Sequence, residues 1–118
     1  MKEDKKNRMV TAFLFSGRPN PEWLLTEWQQ KNWMQLWQQA PLSNTEVKQP
    51  SALGYSGCRL YHNEHSYWQA YNGCVSFFED GKVFSKEDDK EQLEQFLLNT
   101  APEQIKLILQ EQGIIQVK

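Results

Sequence analysis

The stretch from residue 53 to residue 85 most constrains what this chain can fold into. Residues 53–62 (LGYSGCRLYH) and 67–79 (YWQAYNGCVSFFE) are rich in aromatic side chains and read as two strands around a four-residue loop, Asn63-Glu64-His65-Ser66. Asp80-Gly81 is a strong two-residue hairpin signal, and residues 82–85 form the returning strand. The result is an antiparallel meander. With that loop, His62 faces Tyr67, Cys58 faces Tyr71 and Cys74 faces Tyr55. Side chains alternate between faces with a period of two, so the two cysteines fall on opposite sides of the sheet. Both therefore read as reduced thiols, which makes the cytoplasm the expected compartment. Gly57 and Gly73 recur in a Tyr-x-Gly-Cys string and read as kinks where a helix or the Trp23 segment meets bare backbone.

The flanks supply helices. Residues 1–8 (MKEDKKNR) are charged and read as a flexible arm, leaving residues 9–118 as a single domain. Met9 to Phe15 reads as a fourth strand. Ser16-Gly17-Arg18-Pro19-Asn20-Pro21 stops it, because two prolines remove two backbone donors and fix φ. Two helix starts compete next: Asn20 ahead of Pro21, or Thr26 with Gln29 closing a capping box. The Thr26 box is the better start. It predicts a helix over 27–39 with Trp33, Leu36, Trp37 and Ala40 on its inner face. After a connector over 41–52, two further helices follow. One ends near Asn99 with Leu93, Phe96, Leu97 and Thr100 inward; the other starts at the Thr100-Ala101-Pro102-Glu103 signal. The predicted class is α+β: an antiparallel sheet of three or four strands, one helix before the central strands and two after, packed on one face.

One heptapeptide carries a resemblance. Phe15-Ser16-Gly17-Arg18-Pro19-Asn20-Pro21 followed by Trp23, then Leu53-Gly54-Tyr55-x-Gly57, then Leu93-Glu94-x-Phe96-Leu97-Leu98-x-Thr100, resemble a family of small uncharacterised bacterial proteins sharing an F-S-G-R-P-N-P-x-W opening. The resemblance covers roughly residues 13–101. It implies the same order of elements and no catalytic residue. This chain departs from the pattern in its Gln- and Trp-rich first helix, in Cys58 and Cys74, and in the helix after Pro102.

Composition narrows function. Thirteen Lys+Arg against fifteen Asp+Glu give a net charge of −2, which does not favour nucleic acid or an anionic membrane as partner. No apolar run approaches the ~20 residues of a membrane span. His62-Asn63-Glu64-His65 lacks a second ligand cluster for a metal. Cys58 and His62 lie four strand residues apart, ~13 Å, too far for direct activation. No glycine-rich phosphate cradle is present, and no cofactor is implied. What remains is binding chemistry. Aromatic residues make up 13% of the chain and include five tryptophans, more than casual surface use explains. Arg59, Tyr61, His65, Tyr67 and Trp68 cluster near the first hairpin bend, and Trp, Tyr and Arg dominate interface hot spots. Residues 79–94 hold seven acids against three lysines, with Asp88 and Asp89 as candidate steering charges.

The reading is a non-catalytic protein-binding module of the kind that neutralises a bacterial toxin or enzyme by covering it, with a protein as partner. The alternative is a small-ligand or carbohydrate-binding domain built on Arg18, Asn20 and Trp23 of the proline loop, where a flat guanidinium grips a carboxylate or phosphate. A small hydrolase ranks third.

Overall fold

The computed structural model describes residues 7–14, 19–47 and 54–115. Its centre is a six-stranded antiparallel sheet in the order β2-β1-β3-β4-β5-β6. The strands are β1 (Met9–Ala12), β2 (Glu22–Leu24), β3 (Cys58–Asn63), β4 (Ser66–Tyr71), β5 (Cys74–Glu79) and β6 (Lys82–Glu87). The helices are α1 (Glu27–Gln39), α2 (Gln92–Asn99) and α3 (Glu103–Glu111), with a short 3-10 turn at Asp89–Glu91 ahead of α2. The α+β class and its antiparallel sheet agree with the sequence, but the strand count of three or four does not. Among the described residues, no helix is long and apolar enough to cross a membrane.

Two features account for the added strands. The expected strand over 67–79 is really a hairpin. Asn72 (φ 55°) and Gly73 (φ 86°) both adopt left-handed backbone and turn the chain in two residues, as Asp80 (φ 49°) and Gly81 (φ 80°) do eight residues later. Such dipeptides match the right-handed twist of the strands they join. The other addition is β2, which pairs with β1 through Val10 opposite Trp23. Regular pairing in β3 begins at Cys58, so residues 54–57 are not strand. Gly57 (φ 108°) is indeed a close approach, but the neighbour is β4. A Cβ there would lie 2.5 Å from the Ala70 carbonyl oxygen and 2.8 Å from the Tyr71 Cβ. Arg8, read as part of the arm, is tied in: its backbone N–H donates to the Tyr61 carbonyl at 3.0 Å.

The Thr26 start holds in full. Gln29 N–H donates to Thr26 Oγ1 at 3.0 Å, and Thr26 N–H donates to Gln29 Oε1 at 2.9 Å. At the other end of α1, Lys86 Nζ donates to the Trp37 carbonyl at 2.7 Å and stands 4.7 Å from the Trp37 ring centre. A cation there adds to the long 3.3 Å bond that the Ala40 N–H makes to the same carbonyl, and complements the helix dipole. The N-cap of α3 is Pro102 rather than Thr100. The Thr100 hydroxyl instead accepts from Trp23 Nε1 at 2.8 Å.

Register assigns the faces. Val10, Leu60, Trp68 and Phe77 lie opposite one another across four strands, and Ala12, Cys58, Ala70 and Val75 form the next row. These rows face the helices, which contribute Trp33 from α1, Leu93, Leu97 and Leu98 from α2, and Leu109 from α3. Trp33 meets Trp68 edge-to-face with ring centres 5.9 Å apart, and Trp68 lies 4.6 Å from Phe77. Among the described residues, the buried indole N–H groups of Trp33 and Trp68 meet no hydrogen-bond acceptor.

The connector after α1 has a structural task. Leu42 pairs with Lys86, the Ser43 N–H donates to the Ser85 carbonyl at 2.9 Å, and the Glu87 N–H donates to the Pro41 carbonyl at 2.8 Å. The segment then crosses to the second face of the sheet, where Val47 is buried and its N–H donates to Ser76 Oγ at 3.0 Å.

Trp68→Ala removes the ring that joins α1 to the sheet and should lower stability by about 3–5 kcal/mol. Gly57→Ala forces backbone apart and should cost about 1–3 kcal/mol. Urea unfolding followed by tryptophan fluorescence measures both, with Leu107→Ala on the exposed side of α3 as a near-neutral control.

Candidate functional site

The second face carries an unusual polar and aromatic array. Because Arg59 pairs with Gln69 and Tyr61 with Tyr67, all four side chains share this face. Arg59 Nε and Nη2 donate to Gln69 Oε1 at 2.9 and 2.7 Å, and Nη1 donates to the Tyr61 hydroxyl at 3.3 Å. The guanidinium carbon stands 4.1 Å from the Tyr67 ring centre, 5.1 Å from that of Phe13 and 5.7 Å from that of Tyr61. From the β5 side, Phe78 stacks on Tyr67 with ring centres 5.0 Å apart. Tyr67 is thus held between a cation and a second ring. Each cation–ring contact contributes on the order of 1 kcal/mol where partly desolvated. Hydrogen bonds from the fork to Gln69, itself fully buried, fix the guanidinium plane.

Arg59, Tyr61 and Tyr67 are half-buried, so their outer edges stay accessible. Beyond Tyr67 the face opens into a cleft of about 390 Å³ lined by Glu46, His65, Phe78, Asp80 and Val83 among others. His65 is exposed at the hairpin tip, where its backbone N–H donates to Asn63 Oδ1 at 2.7 Å.

Three of the sequence-derived contact residues therefore converge, and His65 stands at their rim. Trp68 does not join them. At 2% exposure it is a core side chain on the helix-covered face. The reason is a bulge. Asn63 pairs with Ser66 but Tyr61 pairs with Tyr67, so His62 is an extra residue and the register shifts by one. Asp88 is likewise no steering charge. It is 3% exposed, and its carboxylate accepts from the N–H groups of Leu93 at 2.7 Å and Glu94 at 3.0 Å, capping α2. Burial pushes its carboxyl up from the usual range. Asp89 is exposed. Of the proline-loop set, Arg18 lies outside the described residues. Asn20 Oδ1 accepts from the Leu14 N–H at 2.8 Å, and Trp23 is buried with its indole N–H on Thr100.

A second polar centre lies at the opposite end of the sheet, and the sequence reading missed it. Glu94, 2% exposed, accepts from the Tyr55 hydroxyl and from the Asn72 backbone N–H at 3.1 Å. Burial, opposed by the Tyr55 hydrogen bond and assisted by the Glu91 charge, pushes the Glu94 carboxyl up to about 7. Burial also drives the Tyr55 hydroxyl far above its ordinary value. The signal for Glu94 was its place on the buried stripe of α2, beside Leu93 and one turn before Leu97 and Leu98. Its partners come from distant segments.

Neither thiol is poised for nucleophilic attack. Both cysteines are free, and burial raises both thiols, Cys58 far above its ordinary value. Cys74 Sγ donates to the Thr45 carbonyl at 3.3 Å. Among the described residues, no three His, Cys, Asp or Glu side chains gather where they could hold a metal ion.

Comparison of the chain with models of protein families, with curated proteins and with solved structures returns no match. The functional reading therefore stands on these residues alone.

Iodoacetamide at pH 7 should label Cys74 slowly and leave Cys58 untouched until the protein is unfolded. Intact-mass measurement would count one adduct. Rapid labelling of Cys58 in the folded protein would contradict its placement under α2.

Proposed function

We propose that this protein is a non-catalytic protein-binding module, with Tyr61, Tyr67 and the Arg59 guanidinium as its contact surface, His65 at the rim and Asp89 as a steering charge. One observation carries the reading. Two tyrosines and an arginine are fixed in place by Gln69, Phe13 and Phe78, yet keep their outer edges accessible on a sheet face. Tyr and Arg dominate interface hot spots, and side chains ordered before binding lose little entropy on association.

The mode we assign is occlusion, in which the module covers a toxin or enzyme of a bacterial cell in the manner of an immunity protein. The acid-rich run over 79–94 suits a basic partner and a fast encounter. Two free thiols suit a reducing cytoplasm, and the resemblance to the F-S-G-R-P-N-P-x-W proteins belongs to the same proposal. The small-ligand alternative is weaker, because Asn20 Oδ1 and the Trp23 indole N–H are already engaged within the fold.

The test is a Tyr61→Ala/Tyr67→Ala double variant, compared with wild type and Leu107→Ala for specific retention of a partner from a bacterial lysate at low salt. The double variant should still unfold cooperatively but lose the partner by at least about tenfold, because two hot-spot side chains each cost ≥ ~1 kcal/mol. Equal retention by all three proteins would remove this face as the contact surface.

A further inference from the structure

The Glu94 centre joins three parts of the chain that are distant in sequence. Tyr55 belongs to residues 54–57, which lead directly into β3 and Arg59. Asn72 heads the β4–β5 turn, and Glu94 lies in the first turn of α2. The same turn is tied a second time, by the Asp88 N–H donating to the Gly73 carbonyl at 2.9 Å. Beside Glu94 is a cleft of about 370 Å³ lined by Tyr55, Tyr71, Asn72, Glu91, Gln112 and Ile114 among others. Any opening of this corner lets water reach the carboxylate.

We propose that Glu94 is a proton-operated clasp: protonated, it locks residues 54–57 and the β4–β5 turn against α2; ionised, it loosens that corner into the adjoining cleft.

The groups facing Glu94 support this assignment. Residues 54–57 contribute Tyr55, β3 contributes Cys58, and the segment before α2 contributes Asp88 and Glu91. The β4–β5 turn contributes the neutral Asn72 N–H, and the end of β4 adds the Tyr71 phenol, which lines the same cleft and packs edge-on against Tyr55. Gln112, Gly113 and Ile114, which follow α3, carry no titratable group. Among the described residues, the charges that reach Glu94 are therefore negative, and the two hydrogen-bond donors to it are neutral. A buried carboxylate without a cation is costly when ionised, and its protonated form keeps both contacts, donating to Tyr55 while accepting from Asn72.

The sign follows from linkage. The closed corner holds its proton up to about pH 7, whereas a solvated Glu loses it near 4.5. Closure binds the extra proton only between those values, so it is strongest at the acid end, weakens as pH rises to about 7, and stays weak and constant above that.

Amide exchange of the full chain, expressed as protection relative to the intrinsic rate, reads this directly. Protection of the Asn72 amide should fall by about 10–100-fold between pH 5 and pH 8, within the limit set by a carboxyl displaced this far. In Glu94→Gln it should stay high at both pH values. Equal protection of wild type at both pH values, or the same fall in Glu94→Gln, overturns the proposal. Should Glu94→Gln fail to fold, Tyr55→Phe supplies the second test. It removes a donor that favours the ionised form, so the titration midpoint of the Asn72 amide proton shift should move upward. An unmoved midpoint, or no titration between pH 5 and 9 in wild type, overturns the proposal as well.

Discussion

Two left-handed dipeptides, Asn72-Gly73 and Asp80-Gly81, set what the rest of the molecule can be. Each returns the chain in two residues, so β4, β5 and β6 pair without slack. A slip of one residue in any of these strands would carry its whole apolar set to the wrong face. With the register fixed, Trp68 and Phe77 meet Trp33 and Trp37 beneath the helices. Tyr67 and Phe78 are thereby committed to the other side.

The bulge at His62 completes this division of labour. One unpaired residue in β3 brings Arg59 and Tyr61 onto the face that β4 and β5 had already given to Gln69, Tyr67 and Phe78. Without it, Arg59 would lie opposite Ala70 and point its charge into the core. The guanidinium cluster and the hydrophobic core are two outcomes of one register, and the strands that connect them also reach the acid centre at the far end.

The parts of the fold governed by local chemistry were legible in the sequence. The Thr26–Gln29 box fixed both the start and the face of α1, and Asp80-Gly81 announced its hairpin. Asn72-Gly73 is the same kind of signal, but it sits inside an aromatic run that also reads as one continuous strand. β2 was obscured by its length, because three residues next to two prolines carry no period. The placement of Trp68, Asp88 and Glu94 depended on tertiary facts: a bulge, a cap made from five residues away, and a tyrosine 39 positions distant in the chain. Of the candidate contact site, Arg59, Tyr61 and Tyr67 were legible as Tyr and Arg side chains near the hairpin bend, whereas the register expected for the hairpin, one residue off the observed one, would have set Tyr67 on the opposite face from Arg59 and Tyr61. Gln69 and Phe13, which hold the arginine, gave no comparable sign.

The seating of Leu42 and Ser43 along β6 has a wider consequence. Open sheet borders invite the same strand of another molecule to add on, and repeated addition ends in fibrils. Here the chain seals part of one border with its own backbone, and the opposite border is a strand of only three residues. Between them, the seated connector and the brevity of β2 leave little open backbone at either border for a foreign strand to join.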